Sequence, residues 1–281
     1  MEQTASAGST SAGAARALAE SAGNPGTDRA VDARTGGSAG NDVPAAGRGS
    51  ALARLTVVIP VGPGDRLDAR LCAQLAQLPV CAQICIVTCM ETAPDVAHAS
   101  PQQPGDGSRW LWISAPAGRA SQQNAGAAAA AGEWLWFVHA DAQLADDTLP
   151  ALEKFIQSDH AALGYFDLRF LADGPALMRL NAAGAWLRSH WLRLPFGDQG
   201  LLMPHALFTR LGGFDASVAR GEDHQLVWRA HRAGIPVLSV GASLYTSARR
   251  YATGGWASTT REHVAETWRQ AWRYARGGTR P

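Results

Sequence analysis

Trp134-Leu135-Trp136-Phe137-Val138 is an uninterrupted apolar run that ends on His139-Ala140-Asp141. Apolar residues without polar alternation are what a strand buried on both faces needs, as in the parallel sheet of an α/β protein. A carboxylate set directly after such a strand lies at its carboxyl end, where open α/β sheets gather ligands. Upstream, Leu55-Thr56-Val57-Val58-Ile59-Pro60-Val61 predicts a first strand, residues 84–89 a second and residues 110–113 a third. Leu67, Leu71, Leu75 and Leu78 mark a helix after the first strand, and residues 119–131, rich in alanine, mark another before Trp134. Downstream the pattern loosens. Residues 146–157, 176–192 and 222–233 read as helices, Leu163–Phe170 and 237–240 as strands, and Gly197-Asp198-Gln199-Gly200 as a loop. The repeated strand–helix order implies an α/β fold: a Rossmann-like, mostly parallel sheet flanked by helices, with an α+β extension. Trp110, Trp112, Trp134 and Trp136 read as core alternation.

Composition narrows the classes. The chain has 281 residues, 25 Lys+Arg against 24 Asp+Glu, and a formal net charge of +1. That balance argues against a dedicated nucleic-acid binder, which carries a strongly basic face. Lys154 is the only lysine. The cysteines at 72, 81, 85 and 89 lack the closer pairs of a cluster site, and Cys85 and Cys89 fall in the second apolar run, so they read as small core residues. Residues 1–50 hold Ala, Gly, Ser and Thr with no aromatic residue, a composition that cannot offset its ordering entropy. They read as a disordered extension, leaving residues 51–281 as the folded domain. No stretch has the ~18 apolar residues of a membrane span, and no basic-then-apolar leader is present. The expected location is cytoplasmic, with a peripheral contact at the inner face of the cell membrane through a basic, tryptophan-bearing helix at about 256–278.

In order along the chain, Val57-Val58-Ile59-Pro60, Gly118-Arg119-Ala120-Ser121-Gln122-Gln123-Asn124-Ala125-Gly126, His139-Ala140-Asp141, Gly212-Gly213-Phe214-Asp215 and Gly221-Glu222-Asp223 resemble the motifs of the family 2 glycosyltransferases. Phe137-Val138-His139-Ala140-Asp141, Gly197-Asp198-Gln199-Gly200 and Thr246-Ser247-Ala248-Arg249-Arg250 are similar to a bacterial subgroup associated with radical-SAM and selenium-domain proteins. The resemblance covers residues 55–250 and departs at two places. Val87-Thr88-Cys89-Met90-Glu91 stands where the family has an acidic cluster, and His139 replaces the first aspartate of its D-x-D.

The resemblance implies a GT-A fold, with a nucleotide-binding half at about 55–141 and an acceptor-side half at about 142–250. It implies an inverting, metal-dependent, hexosyltransferase-type enzyme that moves sugar from a nucleoside diphosphate to an unidentified hydroxyl acceptor, lipid-linked acceptors included. Pro60, Val61, Gly118, Arg119, Asn124, Ala140 and Asp141 would contact the nucleotide sugar. Asp141 would hold Mg²⁺ or Mn²⁺, whose charge neutralises the leaving diphosphate. Asp223 would be the general base, with Glu222 positioning it. Gly197, Asp198 and Gln199 would meet donor sugar or acceptor, and Arg249 and Arg250 a phosphate. Simpler readings stay open: Arg119 as a solvated first-turn side chain, Glu222-Asp223 as an acidic helix start, and Asp198 as a turn residue. Rival functions are a catalytically inactive nucleotide-sugar binder and a sugar nucleotidyltransferase, suggested by Gly62-Pro63-Gly64-Asp65-Arg66-Leu67. The latter group also uses a lysine soon after that loop, and this chain has none before Lys154.

Overall fold

β1 (Leu55–Val61) is buried over six of its seven residues, as its unbroken apolar sequence requires. It pairs in parallel with β2 (Gln83–Cys89) on one side and β4 (Trp134–Phe137) on the other, and β2 pairs in parallel with β3 (Trp110–Ala115). The computed structural model describes residues 49–89, 109–218 and 220–249, together with residues 251, 256, 257, 260, 261, 265, 269 and 272. The chain divides into Met1–Ala46 and Gly47–Pro281, and all described residues belong to the second unit. Most of the C-terminal helix expected at 256–278, Arg250, and Met90-Glu91 lie outside the described residues.

Helices fill the connections: α1 (Ala69–Leu75), α2 (Arg119–Ala128), α3 (Thr148–Gln157), α4 (Met178–Trp191), α5 (His205–Arg210) and α6 (Glu222–Arg232). Asp68 sets the start of α1 by accepting a 2.7 Å hydrogen bond from the Arg70 backbone N–H, so Leu67 lies before the helix rather than in it. α2 lies flat on the sheet because Gly126 faces Val58 and Val87, leaving no room for a β-carbon.

The second half of the sheet is mixed, as the expected α+β extension requires. Strands β5 (Gln143–Leu144), β6 (Leu163–Phe170), β7 (Leu202–Pro204) and β8 (Val237–Thr246) complete the order β3-β2-β1-β4-β7-β6-β8-β5. The β6–β8 pair is parallel, but β7 runs antiparallel to β4 and β6, and β5 antiparallel to β8. The sheet is therefore parallel at one end and mixed at the other. β8 continues six residues past the expected end at Val240, through Gly241 at φ +86°. The two-residue β5 is too short to leave a periodic signal. It pairs with β8, and the Gln74 side chain donates to Leu144 O at 2.7 Å and accepts from Leu144 N–H at 2.8 Å.

Side chains alternate across this sheet into two cores. Val57, Ile59, Ile84, Ile86, Trp134 and Trp136 face one way; Val58, Cys85, Val87, Leu135 and Phe137 face the other. Trp110 and Trp112 are half-buried against the first core. The cysteines are free thiols, and burial pushes Cys85 up to about 12, as suits a packing residue. No helix among the described residues is long and apolar enough to cross a membrane.

The described body takes in Ser50, the last residue of the stretch whose composition reads as a disordered extension. Ser50 Oγ donates to Glu153 Oε1 at 2.7 Å, and Ala51 and Leu52 sit in the core within the 3-10 turn Ala51–Arg54. Deleting residues 1–46 is expected to leave the melting temperature unchanged. Deleting 1–52 removes a buried leucine, worth ~2 kcal/mol, and should lower the melting temperature by ~4–8 °C in differential scanning calorimetry.

Candidate functional site

The site grows from the carboxyl ends of β1, β2 and β4. Gln122, buried on α2, donates to Val61 O at 2.7 Å and Val87 O at 2.8 Å, fastening the helix across two strand ends. The Val61 carbonyl thus meets the first half of α2. Gly118 precedes that start at φ +130°, a value that lets the chain turn sharply from β3 into the helix. Behind β4, Ala140 is buried and its carbonyl accepts from the Asp68 N–H at 2.8 Å. Asp68 Oδ2 also accepts from Gln143 Nε2 at 3.0 Å, so the turn carrying His139 and Asp141 is pinned on both sides.

Arg119, in the first turn of α2, donates through Nε to Glu222 Oε1. Its Nη1 lies 3.5 Å from His139 Nε2. Glu222 is only 2% exposed, so this ion pair fixes the start of α6 against α2. Asp223 beside it accepts from the Gly197 N–H at 2.5 Å and from the His224 N–H at 2.9 Å. A β-carbon at Gly197 would stand 2.9 Å from Asp223 Oδ2, so only glycine brings the loop this close. Both acidic residues also occupy the first turn of α6, where the helix dipole favours them. The acidic-cap reading and the site reading thus describe the same two residues.

Two neighbouring carboxyls are driven apart in proton affinity. Burial raises Asp223, but His224, Arg119 and the two backbone N–H donors outweigh it and hold the carboxyl at about 2. Asp198 has no such donors. Burial, with Asp223 and Asp141 nearby, lifts it to about 6 against the opposing pull of Arg188 and Arg119. Its Oδ1 is shut off from solvent with no hydrogen-bond partner. Arg119 itself is held above its ordinary range: burial works against its charge, while Asp223, Glu222 and Asp198 overcompensate.

Several expected contacts take other duties. Asn124 spends its amide on the backbone of Phe214, donating to O at 2.8 Å and accepting from N–H at 2.9 Å, so it holds the Gly213 loop to α2 rather than facing a ligand. Gln199 is fully buried, and its amide is committed to protein groups. Oε1 accepts from Ser189 Oγ (2.8 Å), Arg188 Nη2 (3.1 Å) and Phe196 N–H (3.1 Å), while Nε2 donates to Phe166 O (3.0 Å). In the same turn, Asp198 Oδ1 has no hydrogen-bond partner. Arg249 is exposed, donates to Ser247 Oγ at 2.8 Å and faces Asp173 across 3.9 Å. Asp68, Gln122 and Arg188 were not singled out by sequence. Asp68 carried the signal of an N-cap, and Gln122 lay inside the quoted α2 motif. Arg188, whose guanidinium lies 3.2 Å over the Phe196 ring, carried none.

The donor chemistry fits a shared cation. Among the described residues no three His, Cys, Asp or Glu side chains gather into a metal cage. A carboxylate at Asp141 is nonetheless what Mg²⁺ or Mn²⁺ asks of a protein when phosphate oxygens and water supply the rest of its shell.

The raised Asp198 carries a stability signature. Between pH 4 and pH 6 the native state binds more protons than the unfolded state, so stability falls as pH rises through this window. Asp198→Asn removes that penalty. Urea denaturation should show the variant more stable than its parent at pH 8, by up to ~3 kcal/mol, and equal to it near pH 4.

Residues 104–215, spanning β3 through the Gly212-Gly213-Phe214-Asp215 turn, match the family model "Glycosyl transferase family 2". No curated protein matches the sequence. S. aureus TarS 1–349 superposes with a TM-score of 0.52 at 17% identity, covering 69% of this chain and 60% of that one. The same protein in complex with UDP-GlcNAc gives 0.51 at 18%, covering 69% and 58%. The mannosyltransferase PcManGT from Pyrobaculum calidifontis, in complex with GDP-Man and Mn²⁺, gives 0.54 at 18%, covering 81% and 66%. The chain thus spans about three fifths of the TarS fragment. At these identities the likeness is one of fold: the described body has the GT-A architecture of glycosyltransferases, and its middle segment is similar to family 2.

Proposed function

We propose that the chain is an inverting glycosyltransferase that carries a sugar from a nucleoside diphosphate onto an acceptor hydroxyl. The observation that carries this reading is the first turn of α6. It brings Glu222 to Arg119 and Asp223 to the Gly197–Gln199 turn, at the strand ends of a fold shared with glycosyltransferases. Diphosphate-linked sugars are named in complexes of the similar structures, which supports the donor class. The three motifs around Asp141, Asp198 and Arg249 support the finer likeness to the radical-SAM-associated subgroup. A cytoplasmic setting belongs to the same reading.

In this mechanism Arg119, anchored through Nε, offers its Nη edge beside His139 to the donor diphosphate, where a guanidinium makes paired phosphate contacts. Asp141 would hold the divalent cation, which supplies charge neutralisation of the leaving diphosphate. Glu222 keeps Arg119 in place and thereby fixes the start of α6. Asp223 stays ionised throughout the physiological range, so it is always able to accept the proton that the acceptor hydroxyl releases as its bond to the anomeric carbon forms. Gly197 N–H keeps that carboxylate oriented.

A second reading has its own observation. Asp198 Oδ1 lies buried without a partner, and its carboxyl sits at about 6, closer to the proton affinity of an efficient base. The pH profile separates the two. If Asp223 is the base, kcat/KM stays flat down to about pH 4 and Asp223→Asn lowers kcat by ~10²–10⁴. If Asp198 is the base, kcat/KM falls below pH 6 and Asp198→Asn takes the larger loss.

The donor site is tested without turnover. Calorimetric titration of UDP and GDP, with and without Mn²⁺, should show cation-dependent binding that Asp141→Ala weakens at least tenfold. Equal binding by the variant would remove Asp141 from the cation site. Slow cation-dependent donor hydrolysis in the absence of acceptor is expected of the transferase, and its complete absence would favour the non-catalytic binder.

A further inference from the structure

α4 is amphipathic in the wrong sense for a helix facing water. Its buried residues are Met178, Ala185 and Ser189, and the helix packs on β6, with Tyr165 Oη donating to Ser189 O at 3.0 Å. Its outward face carries the bulk. Leu180 is 60% exposed, Leu187 50% and Trp191 75%, and with Gly184 they form one stripe at helical spacing. Leu177 continues it at 47% exposure, and Trp186 and Leu192 are exposed on the adjoining faces at 45% and 63%. Water-soluble surfaces rarely place so many large apolar groups side by side without a partner.

Charge identifies that partner. Residues 175–194 contain no aspartate or glutamate, and three arginines, Arg179, Arg188 and Arg193. Arg179 and Arg193 are exposed at the two ends of the stripe. The same edge continues beyond α4. Asn181 accepts from Trp256 Nε1 at 2.9 Å and donates to Thr260 Oγ1 at 3.1 Å, which sets residues 256 and 260 beside the helix, followed by exposed Arg261 and Arg269. A symmetric contact with a second copy would set arginine against arginine, since both copies present the same patch. An anionic bilayer surface meets all three features. Acyl chains receive leucine, the headgroup boundary receives tryptophan, and anionic headgroups receive arginine. α4 has 14 residues, about 21 Å of helix, too short to span a bilayer and suited to lying in its interface.

We propose that the outward face of α4 docks the protein on an anionic lipid surface. This assignment stands independently of the transferase reading. The experiment is flotation of the full chain with vesicles of phosphatidylcholine alone and of phosphatidylcholine with 30 mol% (roughly a bacterial anionic fraction) phosphatidylglycerol. The wild type should partition onto the anionic vesicles, weakly onto the neutral ones, and less as salt rises. Leu187→Ser/Trp191→Ser should lower the anionic partition coefficient at least ~tenfold, and Arg179→Glu by ~five- to tenfold, with donor binding and the melting curve unchanged in both. Three results would overturn the proposal: no partition of the wild type onto anionic vesicles, undiminished partition of both variants, or a wild-type dimer in sedimentation that Leu187→Ser/Trp191→Ser dissociates. The last outcome would assign the face to a second copy.

Discussion

The ion pair between Arg119 and Glu222 joins the first turns of two helices 103 residues apart in sequence. Glu222 is buried, and a buried carboxylate without its cation would cost several kcal/mol. Each helix therefore has to start where it does. α2 is held against the ends of β1 and β2 by Gln122, and α6 is held against α2 by the ion pair. Asp223 then follows as the next residue of α6 and meets the Gly197 N–H. The positions of Asp223 and Asp198 are consequences of this one contact, propagated through a short turn.

Within that frame, nearby charge and backbone donors decide how each carboxyl behaves. Asp223 receives two N–H groups and faces positive charge, so it is strongly acidic despite burial. Asp198, partly buried with its Oδ1 shut off from solvent and without a donor, retains its proton more tightly. Identical side chains thus reach different proton affinities through neighbouring charge and backbone donors together. This is the arrangement by which a site can keep one carboxylate permanently charged while another exchanges a proton near neutrality.

The first half of the fold was legible because its signals are local. β1 and β4 are unbroken apolar runs buried on both faces, and the alternation of Trp134, Leu135, Trp136 and Phe137 between two cores is the strand period itself. The mixed half was less so. Nothing near Leu202 announces that β7 will run antiparallel to β4, and Gly241 reads as a strand end although β8 continues through it. The site shows the same division. Residues following strands or opening helices, such as Asp141, Arg119 and Asp223, announce themselves by position. The commitment of Gln199 to Ser189, Arg188, Phe196 and Phe166 depends on partners brought together only by the tertiary fold. A sequence reading naturally assigns such an amide to a ligand, since its protein partners cannot be seen.

The pairing of Gln74 with Leu144 has a consequence for how this molecule survives crowding. β5 is the terminal strand of the sheet, and a terminal strand offers unpaired N–H and C=O groups on which another chain can assemble. Leu144 turns both of its groups to the amide of Gln74, which donates and accepts as a neighbouring strand would. A side chain therefore caps the sheet in place of a ninth strand. At two residues, β5 leaves little further template, so this end of the sheet is closed to the edge-to-edge polymerisation that exposed strands invite.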